Sequence, residues 1–188
     1  MIKRCKWVNL KNDLYVQYHD SEWGVPVHDD NRLFEMLILE GAQAGLSWET
    51  ILNKRENYRK AYNNFDPKKV AKFNENDVER LLRDEGIVRN RLKIRASIKN
   101  AQVFMDIQKE FGSFDNFIWK YVGNSRVDKK YKKIEDLPVK NEVSDRISVD
   151  LKKRGMSFVG STIIFSFMQA IGMENCHTID CFRHKEIG

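Results

Sequence analysis

At 188 residues, with 41% hydrophobic and 11% aromatic content, the chain can bury a substantial core but not several full-sized domains. Thirty-three Lys and Arg against 27 Asp and Glu leave a formal net charge of +6, an excess that becomes informative only where it clusters. No apolar run approaches the ~18–20 residues of a membrane span, and MIKRCKWVNL turns polar too early for a signal peptide, so a cytoplasmic location is expected.

Residues 1–28 carry Trp7, Tyr15, Tyr18, His19 and Trp23 and end in Gly24-Val25-Pro26, a compact aromatic segment with one short helix expected around 13–19. A helix over 31–44 follows, with Asp29 and Asp30 as candidate N-caps. After a break at Gly45-Leu46-Ser47, a helix is expected from about 48 to 63. Asp66-Pro67 opens another short one, with proline in the first turn. Asn76 or Asp77 is placed to cap VERLLRDE, which Gly86 stops. The longest helix is expected over 88–111, where Ile87, Ile94, Ile98, Ala101 and Met105 form a stripe that Arg91, Arg95 and Lys99 interrupt or flank. Gly112 ends it, and Ser113 or Asp115 starts FIWKYV. Residues 123–142 are polar, contain Pro138 and read as an exposed connection; helices over 143–153 and 161–171 then flank RGMSFVG. Strand-like alternation is scarce, so the expected fold class is all-α.

The stretch LFEMLILEGAQAGLSW at 33–48 holds the sharpest anomaly. At about 100° per residue, Leu33, Leu37 and Ala44 share a narrow arc, and Glu40 falls in its middle. A carboxylate centred on a core-facing stripe is paired, protonated, or turned into a cavity where it acts. Gly41, Ala42, Ala44 and Gly45 then leave room for close approach to the backbone. Trp7, Tyr15, Tyr18, Trp23 and Trp48 all lie within the first 48 residues. Such rings build cores, but Tyr and Trp also stack on bases, and rings beside a carboxylate favour a flat cation.

The hairpin RGMSFVGSTIIFSF at 154–167 joins a basic helix to an apolar one. Gly160 is expected to make the tight turn and to aim backbone N–H groups outward, with the Ser161 and Thr162 hydroxyls beside them, as an anion site for a phosphate. Lys152, Lys153 and Arg154 add charge nearby; an ordinary αα-hairpin is the plainer alternative. Further basic clusters lie at 3–6, 89–95 and 129–133. No lysine follows Gly160, which argues against amine-based covalent chemistry there.

Three cysteines near the chain ends do not form a disulfide framework. His177 and Cys181 are one helical turn apart, a spacing that suits zinc, and Cys5 and His19 supply a complement from the other end. A closed Cys2His2 set would be structural and would clip the termini together. Cys176 competes for a ligand position, and His184 does so more weakly.

From RCKWVNL through YHDSEWGVP, LFEMLILEGAQAGLSW, KRENYRKAYNNFDP, EGIVRNRLKI and LKKRGMSFVGSTIIFSFMQA to CHTIDC, the chain resembles the bacterial 3-methyladenine DNA glycosylase I family, more weakly over 123–148. The resemblance implies a helix-hairpin-helix DNA glycosylase fold with a terminal zinc clip made by Cys5, His19, His177 and Cys181. It implies two helical lobes sharing a cleft, about 1–50 plus 155–188 and about 51–154. Glu40 would be the base-pocket carboxylate and catalytic residue, ionised to welcome a cationic base. Tyr18 and Trp48 would be aromatic walls with the base stacked between them, and Tyr15, Trp7 and Trp23 would lie near the pocket. Gly45 and Leu46 would face the gap left by the extruded nucleotide. Lys152, Lys153, Arg154, Gly160, Ser161 and Thr162 would hold phosphates of double-stranded DNA. The expected activity is hydrolytic release of 3-methyladenine by a monomer, without strand cleavage. A non-catalytic DNA-binding module, or a glycosylase for another base such as 3-methylguanine, would share much of this pattern.

Overall fold

The computed structural model of the chain describes residues 2–187 and is mostly helical. In chain order the helices are α1 (Asp13–Ser21), α2 (Asp30–Gln43), α3 (Trp48–Ala61), α4 (Pro67–Val70), α5 (Glu75–Arg83) and α6 (Arg91–Phe111). They continue with α7 (Phe114–Trp119), α8 (Glu142–Lys153), α9 (Ser161–Ala170) and α10 (Phe182–Glu186). Among the described residues, no helix is long and apolar enough to cross a membrane.

Helix α2 is the centre of the molecule. Every residue from Leu33 to Ala42 is buried, which a helix achieves only when neighbours cover all its faces. Those neighbours are α3, α6, α7 and α9. Asp29 caps α2 by accepting a hydrogen bond from the Arg32 amide at 2.9 Å. Asp30 does something else: its carboxylate accepts the Phe114 and Asp115 amides, each at 2.9 Å, and so closes the start of α7. Ser113 caps α7 as well, through the Asn116 amide. The cap of α5 is Asn74, two residues earlier than Asn76; its side chain accepts an amide while Asp77 reaches back to the Asn74 N–H. The long helix begins at Arg91, because Asn90 caps it through the Lys93 amide and residues 88–90 stay outside.

The expected helical class holds with one short addition: β1 (Val127–Asp128) pairs in parallel with β2 (Glu174–Asn175), matching Val127 to Glu174 and Asp128 to Asn175. The segment 123–142, read as an exposed connection, is mostly exposed but is not loose at its start, where β1 pins it to the C-terminal part of the chain. The turn between α8 and α9 is not made by Gly160, whose φ of −63° any residue can adopt. Left-handed backbone falls instead at Gly155, φ 99°, and at Phe158, φ 56°. A phenylalanine is held there because Asn100 grips Ser157 from both sides, donating to its carbonyl at 2.8 Å and accepting its amide at 2.9 Å. Ser148 adds a hydrogen bond to the Val159 carbonyl at 2.7 Å.

The chain ends meet through one close approach. Gly172, φ 75°, lies so near residues 24–26 that a Cβ there would stand 2.5 Å from Pro26 N. Glycine lets the segment after α9 lie against the segment after α1. The Phe182 amide donates to the Lys3 carbonyl at 2.9 Å, and Val27 donates to Ile171, completing the closure.

Candidate active site and metal cluster

Glu40 faces a cavity of about 170 Å³ that opens to solvent. Helix α1 supplies Tyr15 and Tyr18 to its wall, the segments around it supply Trp7 and Trp23, and α3 supplies Trp48. Gln43 stands one turn beyond Glu40, and α9 contributes Ser166 and Gln169. Ile134 and Leu137 complete the wall from the segment between β1 and α8. Sequence reasoning missed these last five residues. For Gln43, the period of α2 places it beside Glu40. For Ile134 and Leu137, lone apolar residues in a lysine-rich stretch give no such signal.

Two buried polar atoms of this cavity lack protein partners. Glu40 Oε2 and Trp48 Nε1 are both buried without a hydrogen bond. Orphaned buried polar groups cost on the order of 1–3 kcal/mol each, so two lining one cavity mark a place built to receive a polar, flat ligand. Glu40 is 4% exposed, and burial pushes its carboxyl up to about 8. Burial with no cation beside it thus favours the protonated carboxyl in the open pocket, where the sequence suggested an ionised one. No arginine neutralises it: the arginines around α2 are gathered on Glu35, five residues earlier on the helix.

Tyr18 and Trp48 approach each other with ring centroids 5.3 Å apart and planes inclined by 44°. A base held between two parallel rings needs them about 7 Å apart, twice the ~3.5 Å contact distance. The two rings therefore form adjoining walls of a corner rather than opposite faces of a slot. Trp7 touches Tyr15 at 5.3 Å and Trp23 at 4.8 Å between centroids, so the aromatic wall continues inward.

Behind that wall lies the Cys/His cluster. Cys5, His19, His177 and Cys181 are buried, and their ligand atoms all fall within 4.8 Å of one another. Cys5 Sγ lies 3.5 Å from His177 Nδ1, and Cys181 Sγ lies 3.5 Å from both His177 Nδ1 and His19 Nε2. With metal–ligand bonds of about 2.3 Å to sulfur and 2.0–2.1 Å to nitrogen, a tetrahedral angle sets the S···N edge near ~3.6 Å. The four side chains thus fit a closed tetrahedral metal site. The nitrogens turned away from the centre are held in the usual manner of metal-bound imidazoles. His19 Nδ1 meets Asp20 at 2.7 Å, itself gripped by Arg4, and His177 Nε2 meets the Trp23 carbonyl at 3.0 Å. Hydrogen bonds from Cys5, His177 and His19 hold the Cys181 thiol well below its ordinary range, while the proton shared with Cys181, together with burial, pushes Cys5 up. The other two candidates point elsewhere: Cys176 lies against Glu174 at 3.9 Å, and His184 meets Asp128 at 3.3 Å. Trp23 packs edge-on to His177 at 4.6 Å and Trp7 edge-on to His19 at 5.3 Å, so the rings nearest the cluster also line the pocket.

The remaining sequence candidates divide into two groups. Gly45, Leu46 and Thr162 converge with Glu40, Gln43 and Ser166 on a second cavity of about 180 Å³ that adjoins the first. Leu46 is 42% exposed at the tip of the α2–α3 turn. Lys93 steadies that turn by donating to the Ala42 and Ala44 carbonyls at 2.9 and 2.6 Å. Lys152 and Lys153 are exposed at the end of α8. Gly160 opens α9 with no side chain over the helix start, and Ser161 faces Asp145. Arg154 departs from the expected phosphate grip. It pairs with Glu110 at 2.6 Å and Asp150 at 2.9 Å, and its guanidinium lies over the Phe111 and Phe117 rings. Its charge is spent within the protein, where it ties α8 to α6.

Residues 7–184 match the family model described as methyladenine glycosylase. The chain is 48% identical to DNA-3-methyladenine glycosylase 1 of Escherichia coli (strain K12) over 180 residues, 96% of each protein. It superposes on a crystal structure of a 3-methyladenine DNA glycosylase I with a TM-score of 0.93 at 47% identity, covering 96% of this chain and 98% of the other. A variant of such an enzyme solved in complex with 3-methyladenine matches with a TM-score of 0.90 at 38% identity, covering 92% of each chain.

Proposed function

This chain belongs to the methyladenine glycosylase family, and we propose that it excises 3-methyladenine from alkylated double-stranded DNA by hydrolysis, without cutting the strand. The observation that carries this reading is the pair of orphaned polar atoms, Glu40 Oε2 and Trp48 Nε1, in an aromatic cavity. A base alkylated at N3 is cationic and flat. Its ring stacks on the aromatic corner of Tyr18 and Trp48, with face-on attraction on the order of 0.5–2 kcal/mol per ring. Its positive charge makes Glu40 give up the proton it holds in the open pocket. That release, with the proton passing to solvent, works against burial, and the buried charge-assisted contact with the cationic base offsets it. Neutral adenine offers no charge to repay it, so the same burial that raises Glu40 discriminates against undamaged bases.

Little further catalysis is needed. The cationic base is already a good leaving group: the bond between sugar and base breaks, its electron pair departs with the base, and water adds to the sugar carbon while releasing a proton. Glu40 is the catalytic residue in this reading, stabilising positive charge as it spreads onto the sugar. Trp7, Tyr15 and Trp23 back the pocket. Leu46, on the turn formed by Gly45, fills the stack that the extruded nucleotide leaves. Lys152 and Lys153, with the start of α9 at Gly160, Ser161 and Thr162, face the phosphates of what we read as a helix-hairpin-helix element. No lysine stands in the pocket wall to form a covalent link with the sugar, which supports base release alone. We assign zinc to Cys5, His19, His177 and Cys181. Its contribution there is structural, since four protein ligands leave no open position for substrate.

Incubation of the purified protein with N-methylated duplex DNA tests the reading directly. Free 3-methyladenine should appear, with intact strands and with little or no release of 7-methylguanine. If 3-methylguanine were released faster than 3-methyladenine, the lesion assignment would change; retained strands with no free base would leave only a DNA-binding module. Chelation should remove about one zinc per chain and lower both Tm and base affinity together, because Trp7 and Trp23 touch both sites.

A further inference from the structure

We propose that Glu174 is a positioning residue that latches the outer wall of the base pocket; this rests on the pocket reading above. Ile134 and Leu137 reach the pocket from a segment with no helix or sheet of its own beyond a short 3₁₀ turn at Ile134–Asp136. A stretch rich in exposed lysines, Lys129, Lys130, Lys132 and Lys133, has too little apolar surface to hold itself in place. Beside the β1–β2 pairing, the Ile179 amide on the Tyr131 carbonyl and the packing of Tyr131 and Leu137 on the core, one buried carboxylate holds it from both sides. Glu174 is 2% exposed and lies on β2, where its backbone pairs with β1 at the segment's beginning. Its Oε1 accepts the Tyr131 hydroxyl at 2.6 Å, and its Oε2 accepts the Asn141 amide at 2.9 Å. One side chain thereby grips the segment on both sides of Ile134 and Leu137.

The geometry uses each partner fully. Asn141 donates to Glu174 with its nitrogen while its oxygen accepts the Ser144 amide as the N-cap of α8. Tyr131 sends its hydroxyl to Glu174, and its carbonyl accepts the Ile179 amide at 2.9 Å. A carboxylate buried with two strong donors, a weak third in the Cys176 thiol at 3.9 Å and no ion-pair partner loses stability when the two strong donors leave, so the segment is held most firmly with both bonds in place. Glu174 touches no substrate. It acts through the apolar wall, by keeping Ile134 and Leu137 against the base and water out of the cavity around Glu40.

The variant pair Tyr131→Phe and Asn141→Asp tests this with Glu174 itself unchanged. Aspartate caps α8 as well as asparagine does, but it turns an acceptor instead of a donor toward Glu174. The combined variant should be cut by trypsin in 129–133 at least tenfold faster than wild type, at a temperature where the rest of both proteins stays uncut, and its Tm should fall as the buried carboxylate loses its donors. It should raise KM for methylated duplex about tenfold with kcat within twofold, and weaken free 3-methyladenine binding, read by tryptophan fluorescence, by a similar factor. In an Ile134→Ala/Leu137→Ala background the same change should add no further loss. Faster cutting with unchanged KM and unchanged base affinity would overturn the proposal, as would unchanged cutting. Should wild type fail to bind free 3-methyladenine at all, the pocket reading falls, and the tryptic comparison still decides whether the latch exists.

Discussion

Glu35 and Glu40 stand on the same buried helix, 5% and 4% exposed, yet their surroundings are opposite. Burial alone would raise Glu35, but hydrogen bonds and charge from Arg55, Arg32 and Arg59 outweigh it and hold the carboxyl below its usual range. Glu40 meets burial with no cation to answer it and rises to about 8. At Glu35 helix α2 carries a completed ion-pair network; five residues on, Glu40 has no cation, and in the proposed function the alkylated base supplies it. Burial of a carboxylate is thus not a sign of function in itself. What separates the two is whether the protein supplies the partner.

The largest way to break the comparison is to make Glu35 resemble Glu40. Arg55 is buried and donates to Glu35 at 2.8 Å and to Glu22 at 2.9 Å. Arg55→Ala should cost about 3–5 kcal/mol in denaturant unfolding, with base release per folded molecule nearly unchanged. A stability loss below ~1 kcal/mol would mean that the network contributes no more than exposed pairs do.

Glu40→Gln should have the inverse profile. Base release should fall about 100-fold, ~2.7 kcal/mol, because a neutral amide cannot answer a cation. Stability should shift in the other direction. The unfolded carboxyl titrates near 4.5 and the folded one near 8, so across that window the folded state keeps a proton the unfolded state has lost. Wild type therefore loses stability, on the order of a few kcal/mol, as pH rises from about 4.5 to 8, and Glu40→Gln does not. Glu35 works the other way: its contribution is present above 4.5 and is lost as pH falls below that value. Thermal scans of both proteins from pH 4 to 9 would separate the two; parallel curves would show that residue 40 is not buried as described.

The smallest effect belongs to Arg32, 27% exposed on its side chain and shared between Glu22 and Glu35. Arg32→Ala should cost under ~1 kcal/mol at low salt and less at high salt, since solvent screens it and Arg55 remains. A larger loss would place the weight of the network on its rim.

How far this was readable in sequence follows from where each signal lives. Glu40 stood out because helical periodicity alone puts a carboxylate in an apolar arc, and the four metal-cluster side chains stood out by type and spacing. Glu35 carried no such mark, because its arginines come from α3 and from one turn back on α2. Arg154 misled for a related reason: a basic run at a helix end looks free until Glu110, far away in sequence, is folded against it. The pocket's outer wall was hidden because Ile134 and Leu137 sit in a polar connection whose contacts, the β1–β2 pairing and the bonds of Tyr131 and Asn141 to Glu174 among them, come from far along the chain. Asn74 was legible in principle, through its capping partner Asp77 three residues on.

The sharing of Trp7 and Trp23 between pocket and metal cluster has a consequence for biosynthesis. Cys5 and His177, in contact at 3.5 Å, are separated by 172 positions, among the most distant neighbours in the molecule. On the ribosome, the tryptophans emerge at once, but their backing arrives only after nearly all the described fold has been made. The ligand-receiving cleft is therefore among the last features to mature. A chain made only as far as α8 carries Glu40 and Leu46 but lacks His177 and Cys181, against which the inner side of the cleft is backed.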